Sequence, residues 1–270
     1  MSVYEKENPI YFNECIYSVL SQTVLPDELI IVKDGPLTDD LEQIIQGVVF
    51  PNSFHVISLP ANVTQGPARA EGIKLAKHDW IAIMDSDDIC APDRFEKQLR
   101  MIESDERLSL IGGQISEFRD DPKNASASRS VPCDHASIVN FVKYRNPFNC
   151  MTVMMKRELV LRAGNFQYFP FFEDYDLWVR MIKAGAVCAN HPDVLVKVRV
   201  GAGMYARRRG MSYIRFELRL QRTLKELGII NAAEYIRNIA ARIPMRLLPE
   251  KALVYFYNKF LRKIKKNRGE

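Results

Sequence analysis

The 270-residue chain has no apolar run long enough to span a bilayer. Its opening residues lack the charged, apolar and small-residue zones of a secretory signal. These absences predict a cytoplasmic protein. Cysteine is scarce and unpatterned: Cys15, Cys90, Cys133, Cys150 and Cys188 are odd in number and never fall in a CxxC spacing. That argues against a disulfide framework or a structural zinc site and leaves buried or incidental thiols in a reducing compartment. There is no internal repeat and no long low-complexity segment, and only Asp120–Ser130 reads as a polar loop. No histidine follows His191.

What is present is an ordinary globular composition, 47% hydrophobic and 26% charged. The length allows one large domain, or one with an appendage. The net charge of +5 is small but unevenly placed. Residues 207–270 carry 17 Lys and Arg against 5 Asp and Glu, so the body before them is acidic. Across 232–267, apolar residues such as Ile243, Leu247, Phe256 and Ile264 alternate with Lys and Arg. This basic amphipathic pattern suits an anionic membrane interface, or equally a helical layer packed on the domain with its basic face in water. No nucleic-acid motif accompanies the charge, which argues against nucleic acid as a partner.

The stretch that organises the chain is Trp80-Ile81-Ala82-Ile83-Met84-Asp85-Ser86-Asp87-Asp88. A short apolar run reads as a strand buried on both faces of a parallel sheet. Ligand sites of such sheets lie just beyond the carboxyl ends of the strands. Three crowded carboxylates there repel one another, and a hard cation such as Mg²⁺ or Mn²⁺ relieves them while bridging to substrate phosphates. The alternative is a solvated acidic turn before a helix opened by Pro92-Asp93. Upstream, a helix is expected from Pro9 to Thr23, a buried strand at Leu29–Val32 and a helix across Leu41–Ile45. A strand at Phe54–Ser58 and a helix from Pro67 to Lys77 follow. This alternation predicts an α/β fold with a mostly parallel sheet and helices on both faces. The second half is less regular, and the pattern turns helical and basic after Gly203.

Ser2-Val3-Tyr4 with Ser18–Thr23; Ile31–Gly35; Asn62, Gly66 and Arg69; Asp85–Asp88 with Pro92-Asp93-Arg94; and Phe172–Trp178 stand in this order along the chain. Together they resemble the motifs of the family-2 glycosyltransferases, nucleotide-sugar enzymes of the GT-A fold, and most nearly the bacterial exopolysaccharide and O-antigen sugar transferases of the amylovoran-biosynthesis type. The resemblance implies a GT-A domain over 1–203, with a nucleotide-binding half (1–115) and an acceptor half (116–203), followed by a basic helical segment (204–270). Family members usually begin with a full apolar strand of which only the last residues stand here. The expectation is that the natural start lies upstream of Met1.

For single residues the resemblance adds to what the spacing suggests. Asp34 precedes Gly35 at a strand end and faces the crevice, or is simply a turn residue; the family places it on the nucleoside. Arg69, early in a helix, suits stacking on or bonding to the nucleotide. Ser2 and Tyr4 join the donor side. The resemblance gives Asp85 to the ribose or the metal's hydration shell. Asp87 is the expected metal ligand, with Asp88 helping or holding Arg94. Asp174 is the expected catalytic base: it lies between an aromatic cluster and a helix start, where desolvation raises a carboxylate's pKa, and capping that helix is compatible with the role. Glu173, Asp176 and Trp178 are expected to support the site or face the acceptor; for Asp176 a structural role stands beside the acceptor-facing one, and for Trp178 core packing is favoured over stacking on a sugar. Arg199, Arg207 and Arg208 are expected to neutralise the diphosphate.

Together these predict an inverting, metal-dependent transfer of a hexose from a nucleotide sugar, UDP-linked, to a lipid-linked saccharide, at the inner face of the plasma membrane. A nucleotide-sugar nucleotidyltransferase would need a glycine-rich phosphate loop where Glu5-Lys6-Glu7-Asn8 stands. A non-catalytic membrane-peripheral protein of the same fold would be marked by loss of acidic residues that are present.

Overall fold

The computed structural model describes residues 1–201, 210–247 and 263–264. In chain order the elements are β1 (Ser2–Val3), α1 (Pro9–Leu20), β2 (Glu28–Lys33), α2 (Asp39–Gln46), β3 (Ser53–Ser58) and α3 (Gln65–Leu75). They continue with β4 (Trp80–Ala82), β5 (Ile89–Cys90), α4 (Arg94–Ser104), β6 (Leu108–Phe118), β7 (Ala127–Arg129) and α5 (His135–Phe141). After a short 3₁₀ turn come β8 (Met154–Lys156), α6 (Arg157–Arg162), α7 (Glu173–Lys183), β9 (Val187–Arg199), α8 (Gly210–Glu226), α9 (Ala232–Leu247) and β10 (Lys263–Ile264).

The first third folds as the alternation requires. Asn8 caps α1 by accepting the Ile10 N–H at 2.9 Å, and Pro9 occupies the first turn, where its missing N–H costs nothing. Strands β1, β2 and β3 form a parallel sheet. The remaining strands form a second sheet in the order β10-β7-β6-β8-β4, with β9 alongside β6 and β5 on β9. In that sheet only β6–β9 is parallel; β4–β8, β6–β8, β6–β7 and β5–β9 run antiparallel.

The run at 80–88 departs from its expected form. Strand β4 stops at Ala82, and its partner is the antiparallel β8. Beyond it the Ile83 N–H still reaches the Val153 carbonyl at 2.8 Å, and the chain then turns so that Asp85–Asp88 leave the sheet as a loop. Cys150–Thr152 forms the 3₁₀ turn, with Thr152 Oγ1 bonding back to the Asn149 carbonyl at 2.7 Å. All five cysteines are free thiols.

Helices α8 and α9 pack on the domain. Tyr213, Leu220, Leu224 and Ile230 share a core with Phe169, Phe172, Tyr175 and Val179. Beneath them Glu217 is fully buried, with Arg242 at 2.7 Å and Arg246 at 3.3 Å. Asn238 bridges Gln221 Oε1 and the Lys143 carbonyl. Of the two readings of 232–267, the packed layer thus describes α9, whose Arg242 and Arg246 turn inward rather than to an interface. The membrane reading retains only residues beyond Leu247, nearly all outside the described residues; Lys263-Ile264 there pair as a strand with Ala127-Ser128 rather than continuing a helix. No described helix is long and apolar enough to cross a membrane. Glu217→Ala would leave buried arginine charge uncompensated, at a cost of about 3 kcal/mol. The melting temperature should fall by roughly 8 °C, read by circular dichroism.

Candidate active site

Two acidic groups and one arginine define the site. Asp34 follows β2 directly, buried, and its Oδ1 accepts the Val63 N–H at 2.6 Å. Burial raises its carboxyl above the ordinary value, and backbone N–H groups of Val63 and Thr64 oppose the shift. Gly35 has φ +90°, and a Cβ there would meet the Asn62 nitrogen at 2.9 Å; the Asp-Gly turn is needed for the loops to close on each other. Turn and crevice readings of Asp34 therefore coexist. Ser2 is buried in β1, while Tyr4, just beyond it, is 40% exposed.

Arg69 is buried and paired with Asp85. Its Nη1 reaches Cys150 Sγ at 3.4 Å, and the guanidinium lies 5.7 Å from the Phe166 ring centre. An exposed arginine free to stack on a base is thus not what the fold provides; Arg69 orients Asp85. It also lies within electrostatic reach of Glu173 and Asp174, so its charge faces both the loop after β4 and the start of α7.

In the loop, Cys15 Sγ donates to the Asp85 carbonyl at 3.1 Å, and the Ser86 hydroxyl donates to Glu7 Oε2. Burial, then Asp85 and Glu7, push the Asp87 carboxyl up to about 7. Asp88 is 1% exposed and raised well above its usual value, by burial and then by Asp87 and Asp85. Its Oδ1 accepts the Arg199 N–H at 2.9 Å, and its Oδ2 is buried with no partner. It does not hold Arg94. That side chain runs inward, giving Nη2 to the Ile83 carbonyl at 2.8 Å and Nε to Gln98 at 3.0 Å. An orphaned buried oxygen among repelling carboxylates fits a divalent cation, which would complete its shell from phosphate and water. Among the described residues no three potential ligands converge on one point by themselves.

Arg199 does something the sequence did not suggest. Its guanidinium lies 3.7 Å from the Tyr11 ring centre and 4.6 Å from that of Phe118, with Glu14 at 2.6 Å and the Asp87 carbonyl at 3.3 Å. It clamps the acidic loop to the end of β9 and is not aimed at a diphosphate. Arg207 and Arg208 lie outside the described residues.

On the other side, Asp174 sits in the first turn of α7. Its Oδ1 accepts the Tyr175 N–H at 2.6 Å and its Oδ2 the Asn146 amide at 2.7 Å. Burial raises its pKa, and these two bonds oppose the shift. A carboxylate has about four lone-pair positions, so capacity to take a proton remains. Burial, followed by the Asp174 charge, pushes Glu173 up to about 7. The helix starts of α3 and α7 touch: a Cβ on Gly66 would come within 2.9 Å of the Gln167 carbonyl and 3.1 Å of Glu173 Cβ.

For Trp178 and Asp176 the packing and structural readings describe the fold. Trp178 is fully buried, edge-on to Phe148 at 5.8 Å and Phe166 at 6.0 Å, so it cannot stack on a sugar. Asp176 is buried against Arg180 at 2.7 Å, and Arg180 in turn bonds the Ala163 and Asn165 carbonyls; it does not face an acceptor. Asn146 and Glu7 join the site without any local signal in the sequence, because each acts through a fold contact to a residue 28 and 79 positions away, respectively.

Residues 1–163 match the pattern of glycosyl transferase family 2. An uncharacterized glycosyltransferase of Haemophilus influenzae is 40% identical over 263 residues, covering 97% of this chain and 98% of its own length. The amylovoran biosynthesis glycosyltransferase AmsE of Erwinia amylovora is 36% identical over 262 residues, with 96% and 97% covered. The UDP-Gal:alpha-D-GlcNAc-diphosphoundecaprenol beta-1,3-galactosyltransferase of Escherichia coli is 31% identical over 263 residues, with 97% and 95% covered. In fold, the chain is similar to S. aureus TarS 1-349 in complex with UDP-GlcNAc, with TM-score 0.66 and 15% identity over 91% of this chain and 71% of that one. The mannosyltransferase PcManGT of Pyrobaculum calidifontis, in complex with GDP-Man and Mn²⁺, gives TM-score 0.62 at 16% identity, over 96% and 74%. With the family pattern running from β1 through α6 and relatives aligned along nearly the whole chain, the chain belongs to glycosyl transferase family 2.

Proposed function

We propose that the protein transfers a hexose, with inversion, from a nucleotide sugar to a lipid-linked saccharide in the assembly of a surface polysaccharide. The observation that supports this is the acidic gathering around Arg69: it is paired with Asp85 of the loop that holds the buried, unpartnered Asp88 oxygen, and it lies within electrostatic reach of the desolvated Glu173–Asp174 pair. Asp34 and the end of β1, with Ser2 and Tyr4, would hold the nucleoside. Asp87 and Asp88 would hold Mn²⁺ or Mg²⁺, with Asp85 set beside them by Arg69. That cation, when bound, would neutralise the departing diphosphate. Asp174, held by Asn146, would take the proton of the acceptor hydroxyl as its oxygen attacks the anomeric carbon. Relatives whose names specify UDP-sugars and diphosphoundecaprenol acceptors support the donor and acceptor classes. Within 232–267, the packing of α9 leaves peripheral membrane contact to the residues beyond Leu247.

The test is a panel of nucleotide sugars titrated calorimetrically with Mn²⁺, with Mg²⁺ and with EDTA. One UDP-sugar should bind at least tenfold tighter with a cation than with EDTA. Binding that ignores the cation would remove the metal-bridged reading and leave the fold without its proposed chemistry.

A further inference from the structure

Helix α8 has two faces of different chemistry. Tyr213, Leu220 and Leu224 bury its inner face on the domain, and the acid within that face, Glu217, is held by Arg242 and Arg246. The outer face carries Arg215, Arg219, Arg222 and Lys225, all exposed, with Glu226 as its one exposed acid. Among these basic groups Met211 is 73% exposed and Leu218 is 37% exposed. Met211, Arg215, Leu218 and Arg222 recur at helical spacing, so apolar and basic side chains alternate along one line of the helix.

The loop ahead of α7 extends this face. Arg219 Nη1 donates to the Tyr168 carbonyl at 3.3 Å, and its guanidinium lies 4.3 Å from the Phe169 ring centre. The Phe171 ring stands 5.0 Å from Tyr213 and 6.0 Å from Phe216. Tyr168 nevertheless remains 57% exposed and Phe171 43% exposed. Phe171 also has φ +73°, a left-handed conformation that bulky residues rarely adopt. A strained backbone that leaves an aromatic ring in water points to a use for that ring outside the core.

Two rings, two apolar side chains and four basic groups therefore share one surface. That is the chemistry of contact with an anionic bilayer: aromatic and apolar groups enter the headgroup layer, and guanidinium groups meet lipid phosphates. The position agrees with the chemistry. Phe169, Pro170 and Phe171 of the same loop line a cavity of about 200 Å³ together with Glu173 and Gly66, so the patch borders the start of α7, where Asp174 stands.

We infer that the outer face of α8 and the Tyr168–Phe171 loop form the surface by which the protein docks on an anionic membrane. The helix lies along the headgroup plane, Tyr168 and Phe171 dip into it, and a lipid-linked saccharide reaches Asp174 while its lipid stays in the bilayer. This last step rests on the proposed acceptor; docking itself needs neither donor nor cation.

Co-sedimentation of the full chain with vesicles tests the surface. Vesicles of phosphatidylglycerol and phosphatidylcholine in equal parts should bind the protein about tenfold tighter than phosphatidylcholine alone. Arg215→Glu with Arg222→Glu should weaken binding to the anionic vesicles by about 30-fold or more, the loss expected from two basic groups at a charged surface. Lys77→Glu with Arg162→Glu makes the same change in net charge away from the patch and should bind as the parent does. Equal losses in the two variants, or none in the first, would overturn the inference. Should the first variant fail to fold, Tyr168→Trp decides: its emission must shift to the blue on anionic vesicles, and an unmoved emission overturns the docking surface. Nucleotide-sugar titration of the same samples separates the two readings. A parent that ignores vesicles yet binds a donor with cation loses only this surface, and one that binds vesicles without cation-dependent donor binding loses only the proposed reaction.

Discussion

Replacing Asp174 by asparagine should lower kcat by about 10³ while donor and cation still bind, the loss expected when a positioned base is removed. The substitution is nearly isosteric, and Tyr175 N–H and Asn146 still frame the position. The introduced amide can offer its oxygen to only one of these two donors, so one bond of about 1 kcal/mol is lost, and a melting curve must accompany the rate. The pH profile supplies a second readout. Burial raises the pKa of both carboxyls of the pair, with Glu173 at about 7. A base acts only when deprotonated, so kcat/KM should rise as pH increases through the neutral range and fall away below it. The apparent pKa belongs to the pair rather than to one residue. In Asp174→Asn that rise should disappear from the residual rate; an unchanged profile with full turnover would remove Asp174 as the base.

Asp87→Asn should separate two roles in opposite directions. The cation-dependent part of donor binding should weaken by about 100-fold, at least the loss seen when metal-site partners are removed. Without cation, the same variant should be more stable than the parent above neutral pH. A folded-state pKa raised from 3.8 to about 7 means that the folded protein holds a proton that the unfolded chain has released between those values. Stability from this group is full below pH 3.8 and is lost as pH rises through about 7. Asparagine carries no charge to be repelled by Asp85 and Glu7, so at pH 8 its melting temperature should exceed that of the parent by about 3 °C. Differential scanning fluorimetry with and without Mn²⁺ reads both effects. A variant that binds the donor–cation pair normally would contradict the ligand role.

Much of the fold was legible because the first third obeys simple periodicity. Apolar four-residue strands, a capped α1 and an Asp-Gly turn all lie within reach of local rules. The sequence showed the acidic loop as a cluster but not its partners. Asp88 and Arg94 stand on the same short stretch, yet Arg94 turns inward to Ile83 and Gln98 while the Arg199 backbone, 111 positions away, meets Asp88. Local spacing cannot distinguish a guanidinium that points in from one that points out. Trp178 shows the same limit. It follows an acidic helix start, where an aromatic could face a sugar or the core, and only the packing of Phe148 and Phe166 decides. The pattern over 232–267 suited an interface and a packed layer equally, because the buried Glu217 that claims Arg242 and Arg246 lies on another helix.

The contact at Gly66 carries a consequence for how such enzymes diverge. A hydrogen atom, where any other residue has a carbon, lets the two helix starts abut, so the absence of a side chain there sets the spacing between the starts of α3 and α7. Under the proposed reaction that spacing also fixes how far Arg69 stands from Asp174, so relatives can vary the residues around the seam while this one position keeps its hydrogen.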